Sequence, residues 1–477
     1  MCTIPDLVYS HWPSPELFYA ERDHRTLLQV RDLRTYVHTP VSIHVQRKLA
    51  ADLTVQRIAI MTANLTARWA RNVQVVVPEI ELIPPLGVHG DGNLGARIRR
   101  EMREADPFGN FEIVDQPEGT FGTLRLFIGG GEIPDLVEAD YVVDGSGWNV
   151  VGHRGWSQVE YSRVPAAAPT AALAAAIGAA DLFKRAIGQP SEHWIRGVNW
   201  CTWNHSFGLP PGAGNTTPTV SDVADVGNLL VAGIGAIGSA LLYILGLMIS
   251  SGRVTILDRD RVETSNLNRS PLFTAYDAAC SLRKIDSGHK FLSTIGLDSQ
   301  TIDGNWSEHG ERLGRECFDA WISLTNEQGA WAEVPYQLPP VVLHGTTTSG
   351  WGAGVGRHIP RIEDCTACRL PRPKAEFRGP CAEGDIQRPE TPSVVRASLP
   401  FLSSISAALV ATELLKLALP GCGLLPNSVS VDFKTGLPAV VAVRRGPTAG
   451  CDGCRIAHYP IWALRGGRGR YAGLSLC

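Results

Sequence analysis

Three glycines, Gly233, Gly235 and Gly238, stand in the order G-x-G-x-x-G between two apolar runs, Asn228 to Ala232 and Ser239 to Ile249. At the first two, glycine lets backbone N–H groups approach a phosphate with no Cβ in the way, and a helix beginning there adds about half a positive charge. Asp258 closes a further apolar run, Arg253 to Leu257, where a carboxylate can accept hydrogen bonds from ribose hydroxyls. Alone, this pattern reads most often as a dinucleotide-binding dehydrogenase. The residues after it point elsewhere. The run Asp258-Arg-Asp260-Arg-Val-Glu-Thr-Ser-Asn266-Leu-Asn-Arg269 sets an amide and a guanidinium close to the ribose carboxylate. A nicotinamide dinucleotide needs neither there, whereas a triphosphate needs such donors to hold charge that moves during phosphoryl chemistry.

The cysteines carry a second chemistry. Cys365 and Cys368, and again Cys451 and Cys454, are C-x-x-C pairs, and four thiolates make a closed tetrahedral site for structural Zn²⁺. A redox dithiol is the competing reading, but it calls for one pair. Cys381 lies thirteen residues past Cys368 in the polar run Arg378-Gly-Pro-Cys-Ala-Glu-Gly-Asp-Ile. There Arg378 can raise the thiolate fraction and make a nucleophile; the plain alternative is an ordinary exposed cysteine. Cys280, Cys317 and Cys422 fall in or beside apolar elements and are expected in the core.

The D-x-D-x-V-x-x-S-N-L-x-R run resembles the adenylation domain of the ThiF-like family, which includes sulfur-carrier adenylyltransferases and ubiquitin-activating enzymes. The resemblance spans about Asn228 to Arg455. It implies an ATP site in which Gly233, Gly235, Gly238, Asp258, Asp260, Asn266, Arg269 and Lys284 hold the nucleotide, with Lys284 near the α-phosphate. A solvated lysine is the other reading of Lys284. The Cys-Ala-x-Gly segment at Cys381 resembles the thioester-forming members, which makes Cys381, Arg269 and Lys284 the catalytic candidates. Relatives carry an Asp for Mg²⁺ where this chain has Thr325 or Asn326, so Glu327 or Asp260 takes the metal or adenylation is slow or lost. An arginine of a partner domain reaches the triphosphate in such enzymes, a place Arg22 or Arg25 can fill; a solvated helix face is the alternative. The partners implied are a ubiquitin-like protein with a glycine C-terminus and a conjugating enzyme, as in bacterial ubiquitin-like conjugation operons, some of which serve antiphage defence. A sulfur-carrier adenylyltransferase and a catalytically inactive binding scaffold remain alternatives.

The elements that must position these groups follow from pattern. Around the glycines the sequence predicts strand, turn and helix, then a strand to Asp258, a helix over Tyr276 to Phe291 and a strand over Phe318 to Ser323. Glycines between Gly345 and Gly356 read as a segment across which an extended peptide tail can lie, or as simple flexibility. Upstream, Gln56 to Thr62 reads as a strand, Asn64 to Ala70 as a helix and Val73 to Val77 as a strand, with further strands at Thr123 to Ile128 and Tyr141 to Val143. The alanine-rich helix Thr170 to Ile187 and the run Pro400 to Leu419 are both small-residue-rich and end in a Leu/Phe-Lys turn, a weak internal symmetry.

The fold class expected is therefore α/β: a Rossmann-type, mainly parallel adenylation domain with a four-cysteine zinc site, preceded by a second α/β domain. Boundaries fall at 1–205, a Pro/Gly/Asn/Thr-rich linker at 206–225, and 226–477, with the cysteine loop at about 370–398. The first unit is either a degenerate adenylation domain or an unrelated one, so the chain can be a pseudo-dimer or can still form a homodimer. At 477 residues, with 44% hydrophobic and 19% charged residues, it has room for two or three cores. A net charge of −3 offers no case for nucleic acid or an anionic membrane. No spanning run or signal pattern is evident, and eleven cysteines do not form a disulfide framework, so a cytoplasmic protein is expected.

Overall fold

The computed structural model describes residues 4–24, 26, 37–87, 90–116, 124–130, 136–155, 163–208, 217–220, 223–314, 316–325, 334–337, 341–348, 351–369, 385–387, 394–396, 399, 401–419 and 421–456. Two mixed, mainly parallel sheets organise it. The first contains β1 (Val41–Val45), β2 (Asn72–Val76), β3 (Asn110–Val114), β4 (Leu124–Ile128), β5 (Tyr141–Ser146), β6 (Asn149–Arg154) and β7 (Gly197–Cys201), in the order β3-β2-β1-β4-β5-β6-β7. The second contains β8 (Val223–Ala232), β9 (Ile249–Asp258), β10 (Asp298–Asp303), β11 (Ala320–Ser323), β12 (Val341–Thr347), β13 (Gly352–His358), β16 (Ser428–Asp432) and β17 (Ala439–Val443), in the order β10-β9-β8-β11-β12-β13-β16-β17. Strands β14 (Asp385–Gln387) and β15 (Val394–Arg396) pair only with each other.

The two orders repeat one plan. In each sheet the first five strands in spatial order run parallel and the rest antiparallel. The helices repeat as well. Besides α1 (Pro15–Asp23), the chain has α2 (Leu53–Ala67) between β1 and β2, α3 (Leu94–Ala105) between β2 and β3, and α4 (Ala168–Ala186) between β6 and β7. Their counterparts are α5 (Ala236–Leu245) between β8 and β9, α6 (Lys284–Thr294) between β9 and β10, and α7 (Leu402–Leu417) between β13 and β16. The paired runs singled out in the sequence, α4 and α7, thus hold equivalent places, and they pack on each other. One apolar core runs through both sheets. Phe183 from the first half meets Trp351 and Phe401 from the second, with ring centroids 6.2 and 5.8 Å apart.

Two sequence expectations change. Gln56 to Thr62 lies inside helix α2, not in a strand. Every residue from Thr54 to Ala67 is buried, because α2 is covered by its own sheet on one side and by the second half on the other. A helix buried on every side shows no clear 3.6-residue apolar stripe, and the short run through Ile58, Ile60 and Met61 mimics a buried strand. The expected helix Tyr276 to Phe291 is broken in two, Ala275–Ala279 and α6, with Ser281 at a φ of 47° between them. The break has a use: Lys284 opens a fresh helix beside Asp260, its N–H donating to the Asp260 carbonyl at 2.9 Å. Among the described residues no helix is long and apolar enough to cross a membrane.

Candidate nucleotide site and metal centre

The site forms where the parallel strands β8, β9 and β11 end. After β8, Gly233 turns the chain at a φ of 95°, and a Cβ there would lie 2.8 Å from the Leu324 carbonyl and 2.9 Å from the Thr325 nitrogen. Gly238 sits in the first turns of α5, where a Cβ would come within 2.1 Å of the Gly233 oxygen. These two glycines let the turn press against the end of β11 and let the helix start close beneath it. Gly235 differs. It is the N-cap of α5 and no atom lies within 4 Å of where its Cβ would be, so it faces the open space a phosphate would enter.

Asp258 closes β9 and ties the site together. Its Oδ2 accepts from the Ile234 N–H at 2.6 Å and its Oδ1 from the Asp260 N–H at 2.8 Å, linking the glycine turn to the following loop. Burial pushes its carboxyl above the usual range, against the pull of nearby Lys284. Lys284 is 8% exposed and donates Nζ to Asp260 Oδ2 at 2.8 Å, while the Asp260 side chain stays 57% exposed. Asn266 lies in a short helical turn, Thr264–Asn266, where its side-chain oxygen accepts from the Glu263 N–H at 3.0 Å. That leaves its NH₂ as the donor an incoming oxygen would meet. Arg269 is buried three residues on, its guanidinium donating to the Ser265 carbonyl and to Asn268 Oδ1.

Hydrogen bonds therefore join the turn of Gly233, Gly235 and Gly238 to Asp258, Asp260 and Lys284 at one end of the second sheet, and the loop that carries Asn266 and Arg269 follows Asp260 in the chain. Arg22 does not join them: it is fully buried, paired with Asp23 at 2.6 Å and Asp106 at 2.7 Å. Arg25, Asn326, Glu327, Arg378 and Cys381 lie outside the described residues. Thr325 is described, and its hydroxyl is buried with no hydrogen-bond partner among the described residues. For Mg²⁺ the described donors here are thus the exposed carboxylate of Asp260 and one neutral oxygen, a thin set for a hard cation. The glycines at 345, 354 and 356 belong to the β12–β13 hairpin; a Cβ on Gly356 would fall 2.0 Å from the His344 ring. Of the cysteines expected in the core, Cys422 is buried, Cys280 half-buried and Cys317 exposed.

The equivalent end of the first sheet is built differently. After β1 the chain runs from Gln46 to Asp52 with no glycine before α2, and Val77 and Pro78 follow β2. The turn Arg47–Leu49 fills the space before α2, and the carboxylate of Asp52 caps that helix, accepting from the Thr54 and Val55 N–H groups. A carboxylate already on the helix N-terminus repels a phosphate from it.

The four paired cysteines converge as their spacing predicts. Their Sγ atoms lie within 4.8 Å of one another, with Cys365–Cys368 at 3.7 Å, Cys365–Cys451 at 3.6 Å and Cys368–Cys454 at 3.4 Å. Tetrahedral zinc with Zn–S bonds of about 2.3 Å requires S···S separations of about 3.8 Å, whereas a disulfide requires about 2.05 Å. The cluster suits Zn²⁺, and four sulfurs complete its coordination.

The residues that the sequence reading missed come from the first half. Asn64, Arg68, Glu21 and Thr26 all bond to the segment 264–273, about two hundred positions downstream. No local spacing signals such a contact.

Residues 221–309 match the ThiF family, and the glycine turn, Asp258, the Asn266–Arg269 loop and Lys284 all lie within the matched stretch. Among solved structures, the chain aligns with E. coli MccB with MccA-N7isoASN at 15% identity and a TM-score of 0.36, over 48% of this chain and 68% of that one. E. coli MccB with AMPCPP and MccA aligns at the same identity and score, over 48% and 67%. At such values the likeness carries no argument. No curated protein matches.

Proposed function

We propose that residues 226–477 use ATP to activate the C-terminal carboxylate of a ubiquitin-like protein, and that Cys381 then takes the activated acid as a thioester for a conjugating enzyme. One observation carries the adenylation step: at the end of β9 the Asp258 carboxylate accepts from the glycine turn at Ile234 and from Asp260, Asp260 holds Lys284, and the helix N-terminus at Gly235 is open beside them. On this reading the phosphates lie over Gly233 to Gly238, the ribose hydroxyls donate to Asp258, and Lys284 exchanges Asp260 for the α-phosphate. The substrate carboxylate oxygen forms a bond to the α-phosphorus as its bond to pyrophosphate breaks, giving acyl-adenylate. Asn266 and Arg269 are already fixed by their own hydrogen bonds and need little rearrangement as charge moves onto the leaving pyrophosphate. The Cys381 thiolate then attacks the acyl carbon and AMP departs. A bound Mg²⁺ would screen the phosphates. Zinc would act structurally, with no coordination position left for substrate.

Residues 1–205 are proposed as a degenerate adenylation unit, since their sheet repeats the same plan but no glycine lies between β1 and α2 and the Asp52 carboxylate closes the helix end a phosphate would need. The test is ATP–pyrophosphate exchange with a candidate carrier ending in glycine, together with a search for a thiol-sensitive carrier adduct in the wild type and in Cys381→Ser. Exchange that survives the substitution while the adduct disappears is expected. If both adenylation and downstream transfer survive, the chain is a sulfur-carrier adenylyltransferase. No exchange at saturating carrier leaves a binding scaffold.

A further inference from the structure

Arg68, at the C-terminal end of α2, is 1% exposed. A guanidinium so deeply buried normally meets a carboxylate, because an unpaired charge away from water is costly. Among the described residues none is within ion-pair distance of Arg68. The nearest acid in its electrostatic surroundings, Glu101, is already held by Arg97 at 2.6 Å and by the Asn64 amide at 2.6 Å. Burial lowers Arg68 to about 10, so the side chain is still a cation at neutral pH. Its donors go to neutral oxygens: Nε to Asn64 Oδ1 at 2.8 Å, NH1 to the Leu267 carbonyl at 2.7 Å, and NH2 to the Pro271 carbonyl at 2.7 Å and the Phe273 carbonyl at 3.2 Å.

Those three carbonyls belong to one loop of the other half, the loop that carries Asn266 and Arg269. Asn64 adds a bond to the Pro271 carbonyl at 3.1 Å. The loop is held from its outer side as well: Thr264 donates to Glu21 at 2.8 Å, and Asn268 donates to Thr26 Oγ1 at 2.8 Å. A planar fork with five donors can bridge several carbonyls at fixed angles, which a single ammonium cannot do.

We infer that Arg68 is a positioning residue for adenylation: from the half without a nucleotide site, it clamps the loop that presents Asn266 and Arg269 to the phosphates. This rests on the reading of that loop as phosphate-binding. A clamp made in advance means that the donors do not have to be reorganised when negative charge grows on the leaving pyrophosphate. It also explains why a cation is placed where no described acid comes within ion-pair distance. Its positive end adds to the field at the loop, and its fork fixes three backbone carbonyls, of which, among the described residues, Pro271 alone has a second donor, in Asn64.

The test uses the full chain with ATP and Mg²⁺, in Arg68→Ala and Arg68→Lys. Hydrogen exchange is read over residues 264–273 and over β9, ATP affinity by calorimetry, and exchange kinetics with the carrier. We expect the 264–273 amides to exchange at least tenfold faster in Arg68→Ala with β9 unchanged, and the ATP Kd to rise about tenfold. The kcat of pyrophosphate exchange should fall about 100-fold with the carrier KM within threefold, and guanidinium salt should restore it where ammonium salt does not. Arg68→Lys keeps the charge and serves if Arg68→Ala does not fold; it should melt near the wild type yet lose about tenfold in kcat. Wild-type exchange protection and ATP affinity in a folded Arg68 variant overturn the inference. If the wild type shows no pyrophosphate exchange at all, the adenylation reading fails, while the loop exchange and ATP affinity still decide the clamp.

Discussion

Removing the zinc cluster tests the C-terminal architecture most directly, through Cys451→Ser/Cys454→Ser or exhaustive chelation. The metal would cross-link residues 86 positions apart, Cys365 to Cys451, and so close a long loop in the unfolded chain. Loop closure of that length is worth about 4.5 kcal/mol at 25 °C in the chain-entropy treatment. Unfolding entropy of about 2.1 cal/mol/K per residue turns this into a drop in Tm of about 4–5 °C if the whole chain melts as one unit, and about 8–9 °C if only the second half does. The assays are elemental analysis, expected to give one zinc per chain in the wild type and none in the double variant, and differential scanning calorimetry of both. Because four sulfurs fill the shell, ATP affinity of the folded variant at 20 °C should stay within about twofold. A wild-type protein purified in the presence of zinc with none bound, or a double variant that melts with the wild type, refutes the reasoning.

Two further outcomes follow from the geometry. Gly233→Ala puts a Cβ 2.8 Å from the Leu324 carbonyl at a φ of 95°, which costs about 1–2 kcal/mol in backbone conformation before the overlap is counted, so both Tm and ATP affinity should fall. Gly235→Ala meets nothing within 4 Å; its Tm should be unchanged while ATP affinity falls, and equal effects of the two substitutions on Tm would contradict the loop geometry. His205 is held at about 4 by burial and by the Lys416 charge, so it stays neutral when folded and takes up a proton on unfolding between about pH 6.5 and 4. Its contribution to stability is full above that window and lost as the pH falls through it. His205→Gln should therefore flatten the acid limb of a stability–pH curve by up to about 1.4 kcal/mol per pH unit, and parallel curves for the two proteins would refute the assignment.

What was legible in the sequence was chemistry set by short spacing. Gly233, Asp258 and Arg269 announce themselves because each sits a fixed number of residues from an apolar run, and the cysteine pairs because two residues between thiolates suit a tetrahedral metal. Periodicity failed where burial was two-sided: α2 has no exposed face, so Gln56 to Thr62 looked like a strand. The break before α6 was hidden as well, since it depends on Val262 and Lys284 pairing with Leu282 and Asp260 across the loop. Arg22 read as a surface or catalytic cation, whereas it is buried between its neighbour Asp23 and the distant Asp106.

The two halves differ in what they keep. Before α2 the first half has no glycine turn, and the Asp52 carboxylate occupies the helix end that a phosphate would use. On the face toward its twin it keeps buried polar side chains whose partners lie across the interface: Arg57 on the Leu247 carbonyl at 2.8 Å, Asn64 and Arg68 on the 267–273 carbonyls, and Lys184 on the carbonyls of Phe433, Lys434 and Thr435. Buried cations bonded this heavily to a neighbour's backbone are poor stabilisers of a domain that stands alone. They make sense if the first half serves to fix the backbone of the second, which predicts that residues 226–477 expressed without residues 1–205 lose the loop order on which Asn266 and Arg269 depend before they lose the sheet that carries Gly233 and Asp258. Hydrogen exchange of that fragment, protected over β8 and β9 and unprotected over 264–273, would bear this out; equal protection of both would show that the loop needs no partner.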